Sequence, residues 1–293
     1  MTHSGIICKI YNSIYTVLDI TTKKELLCLK KNSTPNLIIG DKVDFDLDSD
    51  RGIITNIQER NNIINKPLLT NIDKMIFVVA ISEPDYSSYI VDSFLAYYSY
   101  LGITPIVIFN KTDISSKTKQ EKLKIYQKLG YECYFISALE LTDKDRAQLI
   151  KIISNKTIAF AGVSGVGKST LVNQLFGEGF VKTGLVSEKL KRGKQTTKQS
   201  MLYFYEPSNT FIADTPGYSM IDIKTLQDSN LYEFFPEFAE LIGQCKFDNC
   251  KHLAEPKCAI KDALVKGDIS QSRYDSYLKL SENISKLRPT YNR

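Results

Sequence analysis

The first sixty or so residues alternate short apolar stretches with polar ones, as the strands of a small antiparallel domain do. β-branched and aromatic residues form short runs, and turn residues such as Gly40-Asp41 separate them. Five strands are predicted, over residues 6–11, 13–18, 25–29, 42–47 and 52–57. Five short strands predict a small barrel. An OB-like fold is the leading interpretation, and another small antiparallel domain is the alternative.

From about residue 72 the pattern changes to continuous apolar runs separated by segments of helix length. These runs occupy residues 75–81, 106–109, 133–136, 157–161 and 211–213. Strands that are apolar on both faces and alternate with helices are typical of a parallel α/β sheet. Asn65-Lys66-Pro67 and the residues just after it are predicted to form the linker between the two patterns.

A third pattern begins after about residue 226. Aromatic residues are dense over 231–238, a cysteine-rich stretch follows, and residues 259–265 and 274–287 carry apolar positions at helical spacing. This unit is too small to hold a large core without help. The chain is therefore divided into three predicted domains, at residues 1–66, 67–226 and 227–293.

Composition fits such a multidomain globular protein, because 43% of the 293 residues are hydrophobic and 24% are charged. The net charge of +5 fits an ordinary solvated surface and leaves nucleic-acid binding open. No apolar run reaches membrane-spanning length, and residues 1–5 lack a secretory signal pattern. We therefore expect no membrane association, and a cytoplasmic protein.

The clearest chemical motif follows the apolar run at residues 157–161. It matches the phosphate-loop pattern G-x-x-x-x-G-K-S and leads into a helical segment that begins with Thr170. Backbone N–H groups of such a loop surround phosphates, the lysine reaches the β- and γ-phosphates, and the serine binds Mg²⁺. The predicted phosphate-binding residues are Gly162, Val163, Ser164, Gly165, Val166, Gly167, Lys168, Ser169 and Thr170.

A base-recognition motif N-K-x-D follows another apolar run and consists of Asn110, Lys111, Thr112 and Asp113. The Asp113 carboxylate can accept hydrogen bonds from both N1–H and the 2-amino group of guanine. Adenine lacks that pair of donors, and an unpaired buried carboxylate would cost about 1–3 kcal/mol or more. Ser137 and Ala138, after the next apolar run, are predicted to form the loop that contacts the guanine oxygen. An ATP-dependent enzyme is the alternative, which Asp113 disfavours.

The order of these motifs is unusual. Most GTPases have the phosphate loop first and the base-recognition loop late, whereas here Asn110–Asp113 precedes Gly162–Ser169. This order predicts a circularly permuted GTPase domain. It also places the D-x-x-G motif, Asp214 to Gly217, about ten residues before the aromatic and cysteine-rich region.

The switch segments lie between and after these motifs. Asp214 is predicted to bind Mg²⁺ through water, and the Gly217 N–H to sense the γ-phosphate. One of Thr196 and Thr197 is predicted to close over Mg²⁺ and the γ-phosphate. The basic residues of 191–198 are either a solvated loop or an RNA contact.

The residue after Gly217 is Tyr218, where many GTPases carry a glutamine that orients the attacking water. A phenol cannot polarise water as an amide does. Slow intrinsic hydrolysis, accelerated by a partner or by another switch residue, is therefore predicted.

Three of the six cysteines, Cys245, Cys250 and Cys258, lie within 14 residues together with His252. Three thiolates and one imidazole suit a closed tetrahedral Zn²⁺ site, and the thiolates argue against Ca²⁺ and Mg²⁺. A reduced cluster without metal is the alternative. One structural Zn²⁺ would stabilise a unit with little core of its own. The other three cysteines are predicted to be small buried hydrophobes.

Taken together, the permuted motifs and the cysteine–histidine cluster resemble the RsgA (YjeQ/YloQ) family of small-subunit biogenesis GTPases over essentially the whole chain. The resemblance implies an N-terminal OB-fold, a circularly permuted α/β GTPase domain and a C-terminal, mostly helical zinc-binding domain. It also implies GTP hydrolysis with Mg²⁺, stimulation by the small (30S) ribosomal subunit, rRNA binding and a role in late maturation of that subunit. A monomer that cycles between GTP and GDP is expected.

The chain departs from that family at one switch position. Family members often read Gly-Arg-His-Thr-Thr, with the histidine proposed to assist hydrolysis, whereas here Gln195 precedes Thr196-Thr197. We predict that Lys168, Gln195, Thr197 and Gly217 carry the catalytic step. Our hypothesis is that GTP orders residues 187–198 and the segment after Gly217, and so repositions the zinc domain on rRNA. An rRNA-binding module with a weak or vestigial GTP site is the alternative.

Overall fold

The structure, a computed structural model, describes residues 2–31, 35–48, 51–177, 180, 200–214 and 221–287. Its N-terminal part is a closed five-stranded barrel in the order β1-β2-β3-β5-β4, with β3 and β5 parallel and the other pairs antiparallel. This confirms the predicted OB-like barrel. The strands are β1 (Thr2–Tyr11), β2 (Ile14–Asp19), β3 (Glu25–Lys30), β4 (Lys42–Asp48) and β5 (Arg51–Ile57).

The barrel closes around its own apolar core. Irregular register after Ile7 in β1 and at Asp44/Phe45 in β4 bends the strands toward closure. Gly52 is required inside, because a Cβ there would lie 2.4 Å from the sulfur of Cys28. The core side chains are Ile7, Tyr15, Val17, Cys28, Leu37, Val43, Phe45 and Ile54.

A hairpin, β6 (Ile63–Asn65) and β7 (Leu68–Thr70), follows the barrel where the sequence predicted a linker. Lys66 and Pro67 form its turn, and a parallel bridge joins Leu69 to Ile39 of the barrel. The Asn71 side chain donates to the Gly40 carbonyl at 2.9 Å. The connection is therefore a structured element, because asparagine amides pair its buried backbone groups.

The central domain is a six-stranded sheet in the order β10-β9-β8-β11-β13-β12, parallel except for the antiparallel edge strand β12. The predicted parallel α/β sheet is confirmed. The strands are β8 (Lys74–Ala80), β9 (Thr104–Asn110), β10 (Glu132–Phe135), β11 (Thr157–Ala161), β12 (Met201–Tyr205) and β13 (Thr210–Asp214).

Helices cover both faces of this sheet, which explains why its strands are apolar throughout. In β8, Ile76 and Val78 pack in one core and Met75 and Phe77 in the other. The helices are α1 (Ser88–Tyr100), α2 (Lys117–Leu123), α3 (Ile125–Lys128), α4 (Asp143–Ile153) and α5 (Lys168–Phe176).

The C-terminal unit completes the face of the sheet that α1 covers. Its 3-10 turns span Ile223–Leu226, Leu231–Phe234 and Pro236–Leu241, and its helices are α6 (Ala259–Lys266) and α7 (Gln271–Ser285). Both predicted helices are confirmed, although α7 begins three residues earlier. Phe235, Phe238 and Tyr277 join the large core that includes α1. Among the residues described, no helix combines the length and apolarity that crossing a membrane requires.

Candidate nucleotide site and metal centre

The carboxyl ends of the parallel strands bring the predicted nucleotide motifs to one edge of the sheet. The loops after β9, β10 and β11 carry Asn110–Asp113, Ser137-Ala138 and the phosphate loop. In an open α/β sheet, ligands bind in the crevice outside these strand ends. The topology thus brings together three motifs that are spread over residues 110–170 of the chain.

The phosphate loop runs from Gly162 into the first turn of α5. Gly165 and Gly167 have φ values of 85° and 91°, a left-handed conformation that glycine adopts without strain. A Cβ on Gly167 would lie 2.2 Å from the Asn110 amide nitrogen, so only glycine permits this approach. The first turn of α5 carries no acidic residue, which leaves its positive end available for phosphate.

The remaining loop residues divide between the interior and the surface. Val166 is buried, and Ser164 is exposed at the rim of the loop. Four predicted ligands, Val163, Lys168, Ser169 and Thr170, are half-buried. Val166 is therefore the one buried side chain that anchors the loop.

Asn110 joins three loops through one buried side chain. Its amide nitrogen donates to the Val166 carbonyl at 2.8 Å, and its amide oxygen accepts from the Ala138 N–H at 2.8 Å. The Ser137 hydroxyl accepts from the Glu140 N–H at 3.3 Å and shapes the same turn. Because Asn110 is 1% exposed, its loss would leave two buried backbone groups unpaired.

The rest of the base-recognition loop extends from this anchor toward solvent. Lys111 has a left-handed φ of 65°, and its ammonium donates to the Glu83 carbonyl. The Thr112 N–H donates to the Ile136 carbonyl at 3.2 Å, and Gln120 donates to the Thr112 carbonyl at 3.2 Å. Asp113 is exposed at the rim, where its carboxylate is accessible to a base.

The structure describes only some of the residues that are predicted to bind Mg²⁺ or to form the switches. Strand β13 pairs in parallel with β11, so that Ala213 lies opposite Ala159 and the backbone of Asp214 follows near the end of β11. Gln195, Thr196, Thr197, Gly217 and Tyr218 lie outside the described residues.

The four predicted metal ligands form one compact cluster. The three sulfur atoms and the His252 ring nitrogen all lie within 4.8 Å of one another. His252 Nδ1 is 3.5 Å from both Cys245 Sγ and Cys258 Sγ, and these two sulfurs are 3.9 Å apart. A tetrahedral Zn²⁺ with bonds of about 2.3 Å to sulfur and 2.0 Å to nitrogen needs separations of this size.

The environment of the cluster also fits a metal. Cys250, His252 and Cys258 are buried. Burial raises the pKa of the Cys250 thiol to about 12, so a nearby cation is needed to keep it as thiolate at neutral pH. Burial lowers the pKa of His252, which favours the neutral imidazole that a metal binds.

Polar side chains outside the cluster hold its loop in shape. His252 has a left-handed φ of 59°, a costly conformation for this residue. The Glu255 carboxylate accepts from the N–H groups of Lys251 and Leu253 at 2.8 Å each. Tyr274 of α7 donates to the His252 carbonyl at 2.8 Å. These contacts fix the backbone on both sides of His252.

A buried arginine that the sequence did not single out joins the C-terminal unit to α1. Arg273 of α7 donates to Asp92 of α1 at 2.5 Å and forms two bonds with Glu237, at 2.6 and 3.0 Å. Its guanidinium lies 4.7 Å from the Phe235 ring centroid and bonds the Tyr131 hydroxyl at 3.2 Å. No sequence signal distinguishes this arginine from a surface residue of an amphipathic helix.

These features define the class of protein: a P-loop nucleotide-binding protein whose base-recognition loop precedes its phosphate loop, followed by a Cys₃His metal cluster. The family model of the RsgA GTPase matches residues 54–224. The chain belongs to this family of GTP-hydrolysing enzymes.

Similar proteins cover nearly the whole chain. A small ribosomal subunit biogenesis GTPase RsgA of Bacillus velezensis is 34% identical, over 98% of this chain and 99% of its own. One from Clostridium kluyveri is 38% identical, over 85% of each chain.

Two solved structures have the same architecture. YjeQ from Thermotoga maritima aligns with a TM-score of 0.80 at 28% identity, covering 98% of this chain and 100% of its own. YloQ, described as a circularly permuted GTPase, aligns with a TM-score of 0.80 at 28% identity, covering 99% and 98%. The permuted fold predicted from motif order is thereby confirmed.

Proposed function

We propose that this chain is a GTP-hydrolysing assembly factor that acts in late maturation of the small ribosomal subunit, binds rRNA, and is stimulated by that subunit. The main support is the convergence of three nucleotide loops on Asn110, in a chain similar to small-subunit biogenesis GTPases over almost its full length. The rRNA contact, a monomeric state and a cytoplasmic location are parts of this proposal.

Guanine selection rests on Asp113. In our proposal its carboxylate accepts from N1–H and the 2-amino group, while the Lys111 stem covers the base. The Ala138 N–H is already used by Asn110, which fixes the Ser137-Ala138 turn. In our proposal the backbone of this turn contacts the guanine oxygen. A base without the two donors leaves the Asp113 carboxylate unpaired.

The phosphates are held by Gly162–Thr170. Backbone N–H groups and the positive end of α5 bind the phosphate oxygens, and Lys168 binds the β- and γ-phosphates. Ser169 directly and Asp214 through water would hold Mg²⁺. When bound, the ion neutralises the charge that develops on the β- and γ-oxygens.

The switch residues complete the catalytic proposal. Thr196 or Thr197 closes over the γ-phosphate, the Gly217 N–H senses it, and Gln195 orients the attacking water. Hydrolysis is slow without the ribosomal subunit, because Tyr218 cannot orient water and Gln195 must be positioned by a partner.

The domains divide this work in our proposal. Residues 1–66 form the OB domain, 67–226 the GTPase domain and 227–293 the zinc domain. One structural Zn²⁺ binds Cys245, Cys250, His252 and Cys258, supported by the separations within that cluster. The γ-phosphate sensor Gly217 lies ten residues before the start of the zinc domain, so loss of the γ-phosphate on hydrolysis can be transmitted to that domain.

GTP turnover with and without purified small subunits tests this function. Wild type is expected to be strongly stimulated, and Gln195→Ala to lose about 100-fold of the stimulated rate while GTP affinity is retained. Gln148→Ala, at an exposed position on α4, is the control and should behave as wild type. Absence of stimulation in wild type would overturn the proposal in favour of a vestigial GTP site.

A further inference from the structure

Helices α2 and α3 form a strongly basic segment. Residues 117–128 contain five lysines and one glutamate, a net charge of +4. The whole chain has a net charge of +5, so the other 281 residues together carry only +1. This concentration follows directly after the base-recognition loop and belongs to no motif described above.

The lysines are exposed and follow the helix geometry. Leu123 and Tyr126 form the buried side, and the five lysines are exposed around the rest of the surface. Lys117, Glu121, Lys124 and Lys128, at spacings of four, three and four residues, share the outward side. We call Lys117, Lys124 and Lys128 the lysine stripe. It is about 16 Å long at 1.5 Å per residue.

Among the described residues, only one of the three stripe lysines, Lys124, is paired with a carboxylate. Lys117 and Lys124 border a groove that also contains Glu121 and Asp145. Glu121 pairs with Lys124 at 2.5 Å, and Asp145 accepts from the Thr142 hydroxyl at 2.6 Å. Within the described part of the chain, no carboxylate lies within ion-pair distance of Lys117 or Lys128.

The chemistry of the stripe selects a phosphate backbone rather than bases. Lysine is a flexible point charge without the fork with which arginine reads a guanine edge. Tyr126, the one aromatic residue of 117–128, is buried and unavailable for stacking on a base. Contacts of this kind add affinity and position a protein without reading sequence.

We propose that the lysine stripe is an RNA-docking surface that binds the phosphate backbone of a helical rRNA segment. The choice of RNA rests on the proposed function. The fit itself rests on charge complementarity and on the length of the stripe. Docking there places RNA immediately beside the loop that carries Asp113, at the entrance to the nucleotide site.

Salt titration of RNA binding tests the proposal. The triple variant Lys117→Gln/Lys124→Gln/Lys128→Gln is compared with Lys144→Gln/Lys151→Gln/Lys156→Gln, which removes three exposed lysines elsewhere on the same domain. The probes are purified small subunits and a poly(A)·poly(U) duplex. Each lost phosphate contact lowers the slope of log K against log salt by about 0.7–0.9.

The stripe variant should therefore lose about two units of slope and bind about 10- to 100-fold more weakly at low salt, on the order of 0.1 M. The matched variant should keep the wild-type slope, and both should keep wild-type GTP affinity. Equal losses in the two variants, or none in either, would overturn the proposal, as would loss of binding to anionic phosphatidylserine vesicles but not to RNA.

The two proposals can fail separately. If wild type binds the duplex through the stripe but its GTPase ignores small subunits, the proposed function fails and the docking surface stands. If small subunits stimulate wild type and the stripe variant equally, with unchanged salt slopes, the docking surface fails and the function stands.

Discussion

The N-terminal barrel and the C-terminal unit have similar sizes but depend on different interactions. The barrel pairs its strands into a closed ring and encloses eight core side chains. The C-terminal unit has 3-10 turns, two helices and an apolar core that continues into α1. The barrel also contributes Ile6, Cys8 and Leu18 to the large core, but a second, eight-residue core lies inside its own ring of strands. Among the described residues, the buried apolar side chains of the C-terminal unit all belong to the core shared with α1, so this unit depends on its neighbour and on the proposed metal.

The largest expected effect comes from the metal cluster. Cys258→Ser, or zinc removal from wild type by a chelator, should abolish hydrogen-exchange protection across 221–287 and leave the barrel amides protected. Structural zinc in zinc-finger peptides contributes apparent free energies of about 10–16 kcal/mol at neutral pH. Hydrogen exchange followed by mass spectrometry measures both regions in one experiment.

Cys133→Ala provides the control for that experiment. Cys133 is buried in the central domain, far in sequence from the cluster, and its removal should leave protection of 221–287 near wild type. If residues 221–287 kept their hydrogen-exchange protection in Cys258→Ser and in fully chelated wild type, the unit would fold on its apolar contacts alone.

The next largest effect is expected at Arg273. Arg273→Met leaves the carboxylates of Asp92 and Glu237 buried without their partner, and breaking such a pair costs about 3–5 kcal/mol. Exchange should accelerate in α1 and α7 but not in the barrel. The exposed Lys266→Met serves for comparison and should change stability by less than about 0.5 kcal/mol. Uniform loss across the barrel would contradict the separation of the two regions.

The smallest effect is expected in the barrel on acidification. Side-chain hydrogen bonds from Asn56 and Gln58 hold the pKa of Asp44 below its usual value. A carboxyl with a lowered folded pKa stabilises the protein above its unfolded pKa of about 3.9, and this contribution is lost as pH falls through the folded value.

Asp44→Asn should remove that contribution, which is at most about 1 kcal/mol because the side chain is half-exposed. Urea midpoints at neutral pH and near pH 3 should converge between variant and wild type as the pH falls. If Asp44→Asn lost stability on acidification as steeply as wild type does, carboxyl groups other than Asp44 would be responsible for the loss.

Prediction from sequence succeeded where the pattern is local. The predicted strand at 25–29 is observed as Glu25–Lys30, and the predicted helix at 259–265 as Ala259–Lys266. It did not predict that the linker folds as the β6–β7 hairpin, because the contacts that order this hairpin involve distant residues such as Gly40. It also omitted β12, an edge strand whose aromatic positions do not alternate.

The candidate sites show the same division. The spacing of Gly162–Ser169 and of the four candidate metal ligands follows from chain-local chemistry, so both motifs could be predicted from the sequence. The Asn110 contacts with Val166 and Ala138 join three loops, and the motifs alone do not give this geometry. No sequence pattern predicted the hydrogen bond from the Lys111 ammonium to the Glu83 carbonyl.

The sequence alone determined which chemistry this protein carries and in what order, because ligand type and spacing are encoded locally. Only the tertiary structure decided how the regions are joined. Arg273 meets Asp92 across 181 residues of chain, and nothing near either residue marks the other as its partner. Buried charges must be paired wherever the fold places them, so such contacts become visible only when the chain is folded.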